Sequence, residues 1–333
     1  MCFENPAVLT TQLPEIQMLD VSVIIVSFNT IEVTKIALSH LYNSLHNYGL
    51  KVIVIDNASN DHSVDILRGE YPDIMIIENN KNVGFGRANN QALPYINSRH
   101  ILLLNTDAFV EPDTIAKTVQ YMDANPQCGI LGVKLSGQDG TLQPSCRYFP
   151  TPWNIFLKRT GLQRIFRQAR LVDDMSWDHA SVRECDWVPG CYFLIRKEVI
   201  DQVGLFDPRY FLYYEEIDFC FSAKKAGWNV TFFPETSVVH LGGESAKSEG
   251  EITSSGRQLE ALNIESELLY FRKNHGLIAI FADVFLVSIA DCVQILKHIL
   301  KLQRGRWPII HVAHSLLAWK IFFKTRMGKM PIH

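Results

Sequence analysis

The 333-residue sequence contains no Cys-x-x-Cys pair. Its seven cysteines (Cys2, Cys128, Cys146, Cys185, Cys191, Cys220 and Cys292) are scattered, and the odd count leaves one over from full pairing. This disfavours a zinc ribbon or a disulfide framework and leads us to expect reduced thiols in a cytosolic protein. No Gly-x-Gly-x-x-Gly is present and no Lys-Ser/Thr closes a glycine loop, so neither a dinucleotide fold nor a P-loop is supported. The net charge is only −3, which carries no overall nucleic-acid signature, and no nucleic-acid partner is expected. The start, Met-Cys-Phe-Glu-Asn-Pro, lacks the basic residues and apolar core of a signal peptide. Internal repeats and low-complexity segments are also missing.

The small total hides an asymmetry. From Leu277 onward eight Lys or Arg face two Asp, a net of +6, which leaves −9 for residues 1–276.

What the sequence does contain is alternation. Residues 21–27 read as a first strand and 31–47 as a helix. Residues 51–55 form a second strand, 61–68 a short helix and 74–78 a third strand. Residues 84–98 read as a helix broken or kinked at Pro94. Ile101-Leu102-Leu103-Leu104 then runs into Asn105, Thr106 and Asp107, as a buried strand that stops at turn residues. A helix follows over 112–125. Strands alternating with helices at this rhythm indicate an α/β fold with a doubly wound, mostly parallel sheet flanked by helices. After Leu135 the alternation fades into excursions over the open face. Order returns at Trp187, with a helix from Glu216 to about Gly227, a strand over 228–233 and a helix over 257–274.

Three strand ends share one rim, and open α/β sheets place ligands there. Asp107 is expected as an exposed strand-tip carboxylate suited to a hard cation, although Asn, Thr and Asp also simply favour turns. Asp56 can accept from a base N–H or a ribose hydroxyl. In Asn82-Val83-Gly84-Phe85-Gly86-Arg87 the glycines give backbone access and Arg87 can face a phosphate. Glu215, Glu216 and Asp218 crowd three carboxylates beside aromatics. Like charges raise one another's pKa, and a raised carboxylate serves as a general base. The plainer explanation is a helix N-terminus that attracts acids. His240, after an apolar strand and before two glycines, is a ligand or a structural histidine.

Taken in order, these segments resemble the GT-A glycosyltransferases of family 2, specifically the bacterial rhamnosyltransferase-like branch. The matching stretches run from Val23-Ile24-Ile25-Val26-Ser27-Phe28-Asn29 through Asp56-Asn57-Ala58-Ser59, Asn82 to Asn90, Leu104-Asn105-Thr106-Asp107, Gly190 and Tyr214-Glu215-Glu216-Ile217-Asp218 to His240. The resemblance implies that Ser27, Asn29, Asp56 and Asn57 contact the donor nucleotide, Asp56 reading the pyrimidine. Asn82, Gly84, Arg87, Asn105 and Thr106 complete the nucleotide site. Asp107 and His240 would hold a divalent metal, Mg²⁺ or Mn²⁺, with a single carboxylate because the motif is Asn-Thr-Asp. Glu216 matches the catalytic base, with Asp218 or Glu215 able to share the role.

The implied reaction is inverting transfer of a sugar to a saccharide hydroxyl in bacterial cell-surface polysaccharide synthesis. The donor implied is dTDP-L-rhamnose, on a resemblance that includes residues 143–152; a UDP-hexose is the nearest alternative. A catalytically silent sugar-nucleotide-binding module and a nucleotidyltransferase are the competing classes.

Residues 1–20 are expected as a lead-in, 21–256 as the GT-A catalytic domain and 257–333 as a C-terminal amphipathic helical segment associating with membrane. In the last of these, Asp283, Asp291, Gln294, His298 and Lys301 recur at helical spacing as a polar stripe. The two Asp argue against a spanning helix. An apolar helix rimmed by Lys and Arg fits an anionic leaflet, so we expect a peripheral protein on the cytoplasmic face of the cell membrane acting on a lipid-linked acceptor. A helical hairpin packed on the catalytic domain is the alternative. On the peripheral reading, a chain ending near Asn274 is expected to be soluble and active on short acceptors.

Overall fold

The computed structural model describes residues 19–44, 48–242, 257–301 and 307–333. Residues 1–18, the end of the first expected helix, Gly243-Glu244-Ser245, Arg304 and Arg306 lie outside the described residues.

The chain begins β1 (Leu19–Ser27), α1 (Ile31–Asn43), β2 (Leu50–Asp56), α2 (Ser63–Glu70), β3 (Met75–Glu78), α3 (Phe85–Gln91), β4 (Ser98–Leu104). A single 3₁₀ turn at Leu93–Tyr95 follows α3, where Pro94 ends the helix. Next come β5 (Ala108–Val110), α4 (Thr114–Ala124), β6 (Cys128–Ser136), β7 (Leu142–Gln143), α5 (Pro152–Thr160), β8 (Arg183–Cys185), β9 (Tyr192–Arg196) and α6 (Lys197–Val203). The described part closes with α7 (Glu215–Lys225), β10 (Asn229–His240), α8 (Arg257–Asn274), α9 (Gly276–Leu300) and α10 (Trp307–Lys324).

The strands form one sheet in the order β3-β2-β1-β4-β9-β6-β10-β5, with β7 on β6 and β8 on β10. The half formed by β1 to β4 is parallel, and β6 runs parallel to β10. Helices cover both faces, which is why Val21, Val23, Ile24 and Ile25 are buried in succession rather than alternately. The short strands β5, β7 and β8 pair antiparallel at the margins, and within the sheet β9 is antiparallel to both β4 and β6. It carries Gly190 and Cys191, just before its first residue, to the end of β4, where the Asn105 N–H donates to the Cys191 carbonyl at 3.1 Å.

The C-terminal helices belong to the same core. One buried cluster runs from Ile24 and Phe193 in the sheet through Phe219 on α7 to Leu268 and Tyr270 on α8, Val284 on α9 and Phe322 on α10. Lys273 and Asn274 at the end of α8 both donate to Asp218 on α7. A chain ending near Asn274 would keep the Asp218 bonds but lose Val284 and Phe322 from the core, so the expectation that it stays soluble and active does not fit this packing. Phe322→Ala tests the point. Emptying a fully buried phenylalanine site costs about 3–5 kcal/mol. A thermal melt should show the whole protein losing stability in one transition; an unchanged main transition would mean the helices fold apart from the sheet.

The polar stripe of α9 faces inward. Asp283 and Asp291 are both buried, the former sharing a hydrogen bond with Glu267 of α8. By length and composition, α9 is long and apolar enough to cross a membrane. Its aspartates instead have protein partners, consistent with packing on the domain.

Candidate active site

A cavity of about 310 Å³ opens at the carboxyl ends of β1, β2 and β4. Asn57, Asn82, Gly84, Asn105, Thr106, Asp107, Glu215, Glu216 and His240 all line it, as do Phe28, Phe85, Pro189, Gly190, Cys191, Phe211 and Tyr213. Residues as far apart in sequence as Val26 and Leu259 therefore meet in one space.

The nucleotide-side loops are held by amide side chains. Asn57 Nδ2 donates to Asn82 Oδ1 at 2.8 Å, and Asn57 Oδ1 accepts from the Val83 N–H and from Asn79. Asn82 Oδ1 also accepts from the Gly84 N–H. Gly84 has φ +88°, and a Cβ there would sit 2.4 Å from the Phe211 carbonyl oxygen. The following N–H, of Phe85, donates to that oxygen. Only glycine allows both the positive φ and the approach. Gly84→Ala should cost about 1–3 kcal/mol in strain and displace the Phe211 wall. Its melting temperature should fall and donor-induced stabilisation should vanish; a wild-type melt with donor would show the loop to be tolerant.

Four candidates expected on the nucleotide side stand back from the cavity lining. Ser27 is fully buried, and its hydroxyl is within 3.3 Å of those of Thr30 and Thr34 in the β1–α1 turn. Asn29, at φ +51°, ties two loops together: its N–H donates to Ser59 Oγ and its Oδ1 accepts from the Asn60 N–H. Asp56 is buried at the end of β2, with Oδ2 accepting from the Ser59 N–H at 3.0 Å. Its other oxygen, Oδ1, has no partner in the described structure. Arg87 is half-buried and donates to the carbonyls of Pro208 and His333, so the structure does not bring it to the cavity.

Asp107 and His240 meet because of strand register. β5 pairs antiparallel with β10, setting Ala108 opposite His240, and the Leu241 N–H donates to the Asp107 carbonyl at 3.0 Å. The His240 Nε2 and Asp107 Oδ1 are then 3.5 Å apart. Asp107 was expected to be exposed. It is only 4 % exposed, because the β5–β10 pair roofs it.

Sequence reasoning missed Gln143 of β7. Its Nε2 donates to the His240 carbonyl at 2.8 Å, which fixes the amide orientation. Its Oε1, 2.9 Å from His240 Nδ1, must then accept, so Nδ1 carries the proton. In the neutral imidazole, Nε2 turns a lone pair toward the Asp107 carboxylate. Two acceptors face to face call for a cation between or beside them. A histidine oriented by an amide and paired with a carboxylate is a donor set that fits a divalent metal. Among the described residues no cluster of three or more His, Cys, Asp or Glu side chains forms a complete metal shell. The nearby Cys191 thiol is pushed up to about 12, by burial and then by the Asp107 charge.

The carboxylates start α7. Tyr213 and Tyr214 both adopt positive φ, +69° and +68°, an uncommon conformation for bulky residues. This turn puts Tyr213 on the cavity and sends the Tyr214 hydroxyl to Glu267 Oε2 at 2.6 Å. It also sets Glu215 and Glu216 side by side at the cavity wall, each with an Oε2 that finds no partner. Burial raises the Glu215 carboxyl well above the usual range, and the Glu216 charge adds to it. Burial likewise raises Glu216, against backbone N–H bonds and the Arg147 charge that pull the other way. Helix-start attraction alone would lower both, so desolvation dominates here. Asp218 is different. It is buried away from the cavity lining, with Oδ2 accepting from Lys273 Nζ at 2.6 Å and Oδ1 from Asn274 Nδ2 at 2.7 Å. Those bonds tie it to the end of α8.

Residues 22–180 match the family model described as glycosyl transferase family 2. The chain carries a family 2 glycosyltransferase domain. The N-acetylglucosaminyl-diphospho-decaprenol L-rhamnosyltransferase of Mycobacterium tuberculosis is 27% identical over 211 residues, covering 57% of this chain and 66% of that protein, just under two thirds of its length. The dTDP-rhamnosyl transferase RfbF of Shigella flexneri is 24% identical over 243 residues, 72% of this chain and 76% of its own. Among solved structures, the mannosyltransferase PcManGT from Pyrobaculum calidifontis, in complex with GDP-Man and Mn²⁺, superposes with TM-score 0.53 at 16% identity, over 94% of this chain and 88% of that one. That likeness shows a shared GT-A-like fold for the family 2 domain and its C-terminal helices.

Proposed function

We propose that the protein is an inverting glycosyltransferase that moves L-rhamnose from dTDP-L-rhamnose to a hydroxyl of a lipid-linked saccharide, working at the cytoplasmic face of the membrane. The observation that carries the enzymatic reading is the single cavity in which an Asp107–His240 pair faces two carboxylates with raised pKa. The donor and acceptor are carried over from the rhamnosyltransferase relatives.

Asn57, Asn82 and the Gly84 backbone would border the nucleotide, and Asp56, buried behind that wall with one unpartnered oxygen, would read the base once the wall gives way. Asp107 and His240 would hold a divalent cation, Mn²⁺ suiting the mixed imidazole–carboxylate pair better than Mg²⁺. Bound there, it would offset the charge that gathers on the diphosphate leaving group. Glu216 accepts the proton of the acceptor hydroxyl as that oxygen attacks the anomeric carbon from the face opposite the diphosphate. Burial raises the proton affinity of Glu216 and so suits it to take this proton. One base and no protein nucleophile produce inversion, as in single-displacement glycoside chemistry.

The test is nucleotide release from a donor panel with Mn²⁺. dTDP-L-rhamnose should be turned over in preference to UDP-glucose and UDP-galactose. Product from a UDP sugar alone would overturn the donor assignment, and no release from any donor would favour a silent binding module.

A further inference from the structure

The C-terminal helices are built with reversed polarity. On α9 the inward side holds Asp283, Val284, Val287, Ala290 and Asp291, while Ile278, Phe281, Phe285, Leu296 and Ile299 are exposed. The exposed positions step by three, four, eleven and three residues, each close to a whole number of helical turns, and so form one stripe. On α10, Ile309, Val312, Leu316 and Phe323 repeat the pattern outward. Single exposed apolar residues are ordinary, but two aligned stripes mark an interaction surface.

At one end of this surface lies a second cavity, of about 370 Å³, between the end of α5 and the last turn of α9. Lys158, Arg159, Arg164, Lys297, His298 and Lys301 line it, and no acidic residue does. The α5 helix is pinned by a reciprocal Thr151–Asn154 capping box, so this wall is preformed. Some of the charge is already used. Lys158 pairs with Asp173 and Arg159 with Asp291, and Lys297 donates to the Thr160 carbonyl. Cations at helix C-termini have a plain explanation in the helix dipole, and those three fit it. Arg164 and Lys301 also sit at helix C-terminal ends, but their side chains make no hydrogen bond or ion pair among the described residues and so remain open to an anion. The cavity shoulders continue directly into exposed apolar side chains, Ile165 (72 %) and Phe166 after Arg164, and Leu296, Ile299 and Leu300 (73 %) around Lys297.

We propose that this basic cavity seats the phosphate of an anionic phospholipid headgroup, with the stripes of α9 and α10 lying in the acyl boundary beside it. The proposal rests on the membrane-surface reading given above and adds to it a defined headgroup site. A soluble phosphate would need the cations but not the apolar rim, whereas a lipid needs both.

The experiment is co-sedimentation of the full chain with phosphatidylcholine vesicles, with and without phosphatidylglycerol. Three proteins are compared: wild type, Arg164→Gln with Lys301→Gln in the cavity, and Lys320→Gln with Lys324→Gln on the exposed side of α10. Circular dichroism and turnover of a water-soluble acceptor check that each is folded. Wild type should prefer the anionic vesicles. The cavity pair should lose roughly 30-fold of that affinity, about tenfold or less being lost by the α10 pair. Equal losses for both pairs would show diffuse electrostatics and overturn the site, leaving membrane association intact. Release of wild type by inorganic phosphate at constant ionic strength would assign the cavity to free phosphate and overturn the lipid source. Binding to neither vesicle would remove the membrane reading itself.

Discussion

Glu216→Gln is expected to lower kcat by about 10²- to 10⁴-fold while donor binding persists. The amide keeps the volume and the contact with the α7 start, but it cannot take a proton from the acceptor hydroxyl. Donor-induced thermal stabilisation should match wild type, which separates lost chemistry from lost structure. Near wild-type turnover would move the base to Glu215. The pH profile supplies a second readout. Burial holds both carboxyls above the usual range, so the acid limb of kcat/KM should lie above an ordinary glutamate's and belongs to the pair. The same shift has a stability consequence. The folded state binds these protons more tightly than the unfolded chain, so stability falls as pH rises from the ordinary glutamate pKa through the raised folded value. Glu215→Gln removes that loss. Its melting temperature should exceed wild type above that window, with the difference shrinking below it.

Asp107→Asn is expected to lose about 10²- to 10³-fold in metal-supported turnover, the several kcal/mol that a bound cation contributes to transition-state charge. Asn keeps the size of a buried side chain but gives up the carboxylate that faces His240 at 3.5 Å. His240→Ala should cost a similar amount, and the double variant little more than either single, because the two act as one site. Gln143→Ala should weaken Mn²⁺ affinity about 10- to 100-fold by freeing the imidazole tautomer. Rate against Mn²⁺ concentration, with a chelator control, reads all four. An Asp107→Asn protein that turns over normally with and without chelator would overturn the metal role.

The parallel half of the sheet was legible because its strands are apolar on both faces and end in turn residues. The clustering of Asn57, Asn105 and Asp107 followed from placing those ends on one rim, whereas Glu216 joined them only through the family resemblance. What local pattern could not show came from long-range pairing. The insertion of β9 antiparallel between β4 and β6 depends on partners about 90 and 60 residues away, and nothing in its own residues sets direction. The burial of Asp107 and its meeting with His240 depend on the β5–β10 register. Asp218 looked equal to its neighbours at the start of α7 until α8 supplied Lys273 and Asn274. Arg87 sat in a glycine-rich loop that reads as phosphate-facing, yet its guanidinium reaches Pro208 and His333 instead. In the C-terminal part the polar stripe of α9 was visible at helical spacing. Which side faced water was not, because amphipathicity alone does not tell a core-facing stripe from a solvent-facing one when the partners are buried ion pairs.

The central claim is a single displacement assisted by one carboxylate base. It is tested most directly by the anomeric configuration of the product, read by NMR of the glycoside made from a donor of known configuration, together with mass spectrometry of the protein during turnover. The configuration should be opposite to that of the donor, with no sugar attached to the protein. Retention of configuration, or a glycosylated Glu215 or Glu216, would contradict the account.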